Sequence, residues 1–182
     1  VDICERTVKA QVWEVRVGRT RLYLLDTDVI ENDASDRAIT GQLYSGDPEM
    51  QLAQEVLLGV GGVRTLQTLG IEPSIYHLNE VHAAFALLEL ARFEIEQTGD
   101  SLEKAKESVR GRTLFTTHTP VPTGQVFPLE MMERYFGGYW SMLGLDREQF
   151  FALGAQTSES GVFSMTSLAL GMTRDSNAVR RR

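Results

Sequence analysis

Between Thr7 and Val17 apolar and polar side chains alternate (Thr-Val-Lys-Ala-Gln-Val-Trp-Glu-Val-Arg-Val), and after Gly18-Arg19 a second run follows, Leu22-Tyr23-Leu24-Leu25. A period of two is the mark of a strand, so the two runs predict a β-hairpin. The alternation slips at Val12-Trp13, where two apolar residues adjoin. Either a bulge sits there or both faces of the strand are covered. Asp26 to Asp36 reads as an acidic, irregular loop. The period then changes to that of a helix, with Leu52, Val56, Val60, Val63 and Leu66 recurring at three- and four-residue spacing. Asp47-Pro48-Glu49 starts this helix: a side-chain acceptor for free N–H groups, a proline already at helical φ, and an acid near the positive dipole end. Gly70 stops it. Gly59, Gly61 and Gly62 lie inside it without forming G-x-G-x-x-G, because position 64 is Arg and no strand immediately precedes them. They predict close packing against another helix rather than a phosphate cradle.

The next unit is the most regular. Pro73 to Asn79 is strand-like, Val81 to Glu96 is helical, and Gly99 ends that helix. Asp100 with Glu103 resembles a capping box opening a second helix to about Arg110. Thr113 to Thr117 is strand-like by its β-branched content, and Pro120 and Pro122 forbid its extension. Strand, helices, strand is a crossover unit, which makes the two strands parallel and the protein α/β. Three further helices are expected, roughly Pro128 to Tyr135, Asp146 to Leu153 and Ser164 to Met172.

The 182 residues are enough for one domain with a core, able to bury roughly 70% of the unfolded surface. Eighteen Lys and Arg against 25 Asp and Glu give a net charge of −7. That balance argues against nucleic acid or an anionic membrane as partner. The longest apolar stretch, Val81 to Leu88 with His82 inside it, is far short of the ~20 residues of a spanning helix. With no basic-then-apolar leader and a single cysteine, Cys4, that has no internal partner, a soluble cytoplasmic protein is expected. A first residue that is Val and an arginine-rich end predict a piece of a longer protein.

Two of the three histidines follow the predicted parallel strands: His82 after Asn79-Glu80, and His118 after Thr116-Thr117. Ligands of open α/β sheets bind beyond the carboxyl ends of the strands, so Glu80, His82 and His118 are expected to share one pocket. Each has a blander reading. Glu80 is placed where a first-turn acid would favour the helix dipole, and His82 where a core histidine would pack beside Ala83 and Phe85. His77, inside the strand, is expected on a buried sheet face with a structural role. His77, Glu80, His82 and His118 are acceptable zinc ligands, yet neither His-Glu-x-x-His nor a cysteine pair is present, so no metal is expected. Cys4 is remote and no Gly-x-Ser-x-Gly occurs, which disfavours a nucleophilic hydrolase.

His77-Leu-Asn-Glu-Val-His-Ala-Ala-Phe85, followed by Thr116-Thr-His-Thr-Pro-Val-Pro122, closely resembles the α-glucan (glycogen, starch, maltodextrin) phosphorylases, above all their bacterial and archaeal short form. The likeness continues, in the same order, through Ala10 to Trp13, Leu22 to Thr27, Leu43-Tyr44 through Asp47, Glu49-Met50, Leu57 to Arg64, and Met165-Thr166 through Leu170. The resemblance implies phosphorolysis of terminal α-1,4-linked glucosyl units to α-glucose 1-phosphate, with α-1,4-glucan and inorganic phosphate as partners. It also implies a Rossmann-like parallel sheet within a type B glycosyltransferase (GT-B) fold, of which residues 1–182 would be part of the N-terminal domain. Pyridoxal phosphate is the implied cofactor, held by a lysine of a C-terminal domain that has no matching segment here. Carried over residue by residue, His118 meets the glucosyl 6-hydroxyl with its side chain and the cationic sugar with its carbonyl. Asn79, Glu80 and His82 line the same pocket, and Asp47 is the acid of a gate loop. The chain departs from the short form at Val81, usually Gly, and at Gln51, usually Arg. The segment Thr123 to Phe127 is one residue shorter and lacks an Asp, and Gln156 to Val162 is also short. The second function class is a noncatalytic carbohydrate-binding or regulatory module.

Overall fold

The computed structural model describes residues 1–43, 46–118, 125–155 and 161–179. A short antiparallel pair, β1 (Asp2–Ile3) and β2 (Arg6–Thr7), precedes the expected hairpin of β3 (Gln11–Val17) and β4 (Thr20–Asp26). The Val12-Trp13 slip has neither expected cause. The ladder runs unbroken from Gln11 opposite Asp26 to Val17 opposite Thr20, and all of β3 is exposed. Trp13 instead stands opposite Leu24, and its indole N–H donates to Asp26 at 3.2 Å. The acidic loop holds a short helix, α1 (Ala34–Arg37), capped by Asp33, whose Asp36 is buried against Arg6 at 2.6 Å.

The long helix is continuous but not uniform: α2 (Pro48–Val56) passes through a wider π turn, Leu57–Gly61, into α3 (Gly62–Thr68). Gly59 explains the glycine cluster in part. A Cβ there would stand 2.8 Å from the Ala86 nitrogen and the Phe85 Cβ, so the two helices touch backbone to backbone. The partner is α4 (Phe85–Thr98), whose Phe85, Leu87, Leu88, Leu90 and Ala91 are buried. It ends at Gly99, where φ is 72°, a conformation that favours glycine. In α5 (Leu102–Gly111) the expected capping box is absent. Ser101 occupies the cap position and makes no side-chain cap bond, while Asp100 pairs one turn on with Lys104 at 3.0 Å.

β5 (Tyr76–Asn79) and β6 (Thr113–Thr117) are parallel, as the crossover requires, with Asn79 opposite Thr116. His77 is a correction: it is exposed, not on a buried face, and its Nε2 meets the Thr116 hydroxyl at 2.7 Å. The remaining elements are β7 (Val126–Pro128), α6 (Leu129–Phe136), α7 (Arg147–Ala152), β8 (Val162–Ser164), α8 (Met165–Met172) and β9 (Asp175–Ala178). β7 and β8 pair antiparallel; β9 adds a third parallel strand beside β6. The α/β class therefore holds, with a Rossmann-like three-stranded parallel sheet. Phe85, Phe136, Tyr139, Phe150 and Phe163 form a chain of rings with centroids 4.7–5.6 Å apart, joining α4 to the C-terminal helices.

Candidate functional site

Chemistry gathers where β5 and β6 end. Glu80 follows β5 directly and adopts φ 66°, ψ 177°, a region open essentially to glycine alone. Such a backbone costs on the order of 1–3 kcal/mol and persists only where surrounding contacts hold it. Three do so. The Glu80 N–H donates to the Thr116 carbonyl at 2.8 Å, the His118 N–H donates to the Glu80 carboxylate, and the Thr117 hydroxyl donates to the other carboxylate oxygen at 3.3 Å. The acid is no first-turn helix residue. A single 3₁₀ turn, Val81–Ala83, separates it from α4.

Asn79 completes the group, with its amide oxygen 2.8 Å from His118 Nε2. An amide oxygen only accepts, so the imidazole donates from Nε2 and presents Nδ1 on its other edge. Asn79 and His118 are exposed and Glu80 is half-buried. The result is an open polar rim in which one carboxylate clamps the strand after β6 and one amide orients the histidine. The segment Thr119 to Pro122, the shortened stretch at Thr123-Gly124, Tyr44 and Gln156 to Ser160 lie outside the described residues.

His82 comes two residues after Glu80 but makes its contact elsewhere. Its Nδ1 lies 3.2 Å from Glu55 Oε1, on α2. Leu43, Gly46, Gln51, Gln54, Glu55, Leu58 and His82 line a cavity of about 360 Å³. The structure brings Asn79, Glu80 and His118 together, and His82 turns towards a neighbouring hollow that neither Glu80 nor His118 lines. Nor is His82 a core histidine, since 43% of its side chain is exposed. Asp47 lies at the mouth of α2, where its carboxylate accepts the Glu49 N–H at 3.0 Å.

Glu55 is the residue that reading the sequence missed. It is 3% exposed, and its Oε2 has no hydrogen-bond partner among the described residues. Burial pushes its carboxyl up to about 7, against the opposing pull of His82. The contact with Glu55 raises the imidazole in turn, against its own partial burial, and Gln125 and Glu80 add to the rise. A signal was present: an acid on the apolar stripe of Leu52, Val56 and Val60 has no reason to be there unless it has work inside.

Among the described residues no group of three His, Cys, Asp or Glu is arranged to hold a metal ion, and no helix is long and apolar enough to cross a membrane. The residues here do not fit a Schiff-base cofactor. Of the three lysines, Lys9, Lys104 and Lys106, none bonds to this rim, and Lys104 is committed to Asp100.

No family model matches the chain. Individual proteins do. It is 42% identical over 182 residues, all of the chain, to the maltodextrin phosphorylase of Thermococcus litoralis. It is 38% identical over 184 aligned residues to the glycogen phosphorylase of Mycobacterium tuberculosis, covering 94% of the chain, and 38% identical to that of Aquifex aeolicus, covering all of it. The chain spans only 21% of the first two of these relatives and 26% of the third.

Proposed function

We propose that this chain, which is similar along its whole length to a segment of the glycogen and maltodextrin phosphorylases, forms part of the glucosyl site of an α-1,4-glucan phosphorylase. The reaction breaks the bond from the terminal glucosyl C1 to its glycosidic oxygen and joins C1 to a phosphate oxygen, giving α-glucose 1-phosphate. The convergence of Glu80, Asn79 and His118 beyond the carboxyl ends of β5 and β6 is the observation that carries this reading. Open α/β sheets bind ligands at that edge. A polyol needs paired donors and acceptors there, and the rim offers an amide, an imidazole and a carboxylate.

His118 meets the glucosyl unit and stabilises it as positive charge develops at C1, while Glu80 fixes the backbone on which His118 sits. Asn79 orients the ring. His82 and Asp47 border the same sugar from the side of α2. The three-stranded sheet belongs to the N-terminal half of a GT-B fold, and pyridoxal phosphate, phosphate-binding groups and the cofactor lysine come from residues outside this chain. A cytoplasmic enzyme with a neutral glucan and inorganic phosphate as substrates agrees with a net charge of −7. The test is the titration of maltoheptaose into the ¹⁵N-labelled chain. Perturbation of the ring signals of His118 and of the backbone signals of Glu80 is expected, and maltoheptaose that leaves both unmoved overturns the reading. Binding by the whole polypeptide that carries these residues, with no glucose 1-phosphate formed, would favour a noncatalytic carbohydrate-binding module instead.

A further inference from the structure

Glu55 reaches the site from inside the protein. Its Oε1 stands 3.2 Å from His82 Nδ1, its Oε2 is buried without a partner among the described residues, and the pair borders the cavity lined by Gly46, Gln51 and Gln54. A carboxylate oxygen and an imidazole nitrogen attract at that distance only with a proton between them. We infer that Glu55 is a positioning residue for His82: it shares one proton with Nδ1, locks the ring's orientation, and so sets where the other edge, Nε2, is presented to a ligand. The contact stands by itself, whereas the ligand on Nε2 rests on the glucosyl-site reading.

Among the described residues the Gln125 side chain is the other hydrogen-bonding partner of the His82 ring. The elements packed against its turn are α2, β5, the π turn and α8. The π turn (Leu-Leu-Gly-Val-Gly) and α8 (Met-Thr-Ser-Leu-Ala-Leu-Gly-Met) carry no charged side chain. On β5 the titratable groups are Tyr76, under the Arg112 guanidinium, and His77, turned to Thr116. Glu80, the other acid near the ring, holds the His118 N–H. Burial favours the protonated carboxyl at Glu55, and the carboxyl favours the protonated ring at His82. Both push in one direction, so the pair keeps its proton as pH rises through neutrality and titrates as a unit.

The ring nitrogens of His82 report the outcome directly. In the ¹⁵N-labelled 182-residue chain, with signals assigned against His82→Gln, the neutral ring at high pH should carry its proton on Nδ1. Its titration should lie above the ordinary ~6.5 and should fall by about a pH unit, tenfold in proton affinity, in Glu55→Gln. A neutral ring protonated on Nε2 in the unaltered chain overturns the inference, as does a titration that Glu55→Gln leaves in place. Should Glu55→Gln fail to fold, the tautomer of the unaltered chain still decides. Glu55→Asp, which withdraws the carboxylate by one methylene, should then lose the Nδ1 preference; keeping it would count against the inference. Maltoheptaose separates the two claims. An Nδ1–H ring with no sugar response retains the pair and rejects the glucosyl site. An Nε2–H ring with a sugar response does the reverse.

Discussion

Among the described residues two glutamates are buried, and they are buried differently. Glu89, on α4, is fully enclosed and saturated: Arg92 donates at 2.8 Å, Arg64 at 2.9 Å and the Tyr139 hydroxyl at 2.7 Å. Burial works against its charge, but the hydrogen bonds from Arg92, Arg64 and Tyr139 outweigh it and hold the carboxyl below its usual value. Glu55, on α2, has one partner and one orphaned oxygen among the described residues, and its carboxyl is pushed up to about 7. The first arrangement ties α3, α4 and the segment before the 3₁₀ turn Trp140–Leu143 into one body. The second leaves electrostatic need unmet beside a cavity. A saturated buried charge reads as structure and an unsaturated one as function, because only the second has something left to offer a proton or a ligand.

The largest expected effect separates them in stability. Glu89→Gln leaves two partly buried arginines without a counter-charge, and chemical denaturation should show a loss of about 3 kcal/mol. Arg92 and Arg64 retain 15% and 31% exposure, which keeps the loss at the lower end of what breaking a buried pair costs. Glu55→Gln should shift stability by about 1 kcal/mol or less near neutral pH, since burial already opposes the charge that the amide removes. Equal losses at the two positions would erase the contrast.

A smaller effect, of opposite sign at the two acids, lies in the pH dependence. The folded-state value of Glu55 is raised, so its contribution to stability is complete below about 4.5 and is lost as pH rises towards 7. That of Glu89 is lowered, so its contribution is complete above 4.5 and is lost as pH falls through the depressed value. His82, raised from 6.5, extends the alkaline loss of the pair. Denaturation midpoints from about pH 2 to pH 8 should show Glu55→Gln flattening the slope towards neutrality and Glu89→Gln flattening the acid one. An unchanged neutral slope in Glu55→Gln would show that Glu55 does not titrate there.

The sequence made the skeleton legible where one period dominated: the β3–β4 hairpin, the helix begun at Asp47-Pro48, and the parallel pair β5 and β6 around α4 and α5. It failed where tertiary contacts decide. β9, Asp175–Ala178, has no apolar pattern because it is an exposed edge strand, made only by its ladder to β6. Asp100 stands one residue before the cap, which is Ser101, and its carboxylate pairs with Lys104. His77 was expected inside because alternation assigns faces but does not say which face is covered. At the site, strand ends pointed to Glu80, His82 and His118, and Asn79 came only with the family resemblance, whereas the positive-φ backbone at Glu80 was not legible. A glutamate there contradicts local preference, and it is held in place by Thr116, Thr117 and His118, more than thirty residues away in the chain.

The central claim is that His118 serves the reacting sugar. The direct measurement is steady-state phosphorolysis of maltoheptaose by the whole polypeptide that carries these residues, with and without His118→Ala. Alanine keeps the backbone N–H that Glu80 holds and removes the imidazole that Asn79 orients. Loss of one positioned group that acts as charge develops should lower kcat by roughly a hundred- to a thousandfold while KM for the glucan changes far less. A kcat within about threefold of the unaltered protein, far below that range, would contradict the assignment of His118 to the glucosyl site.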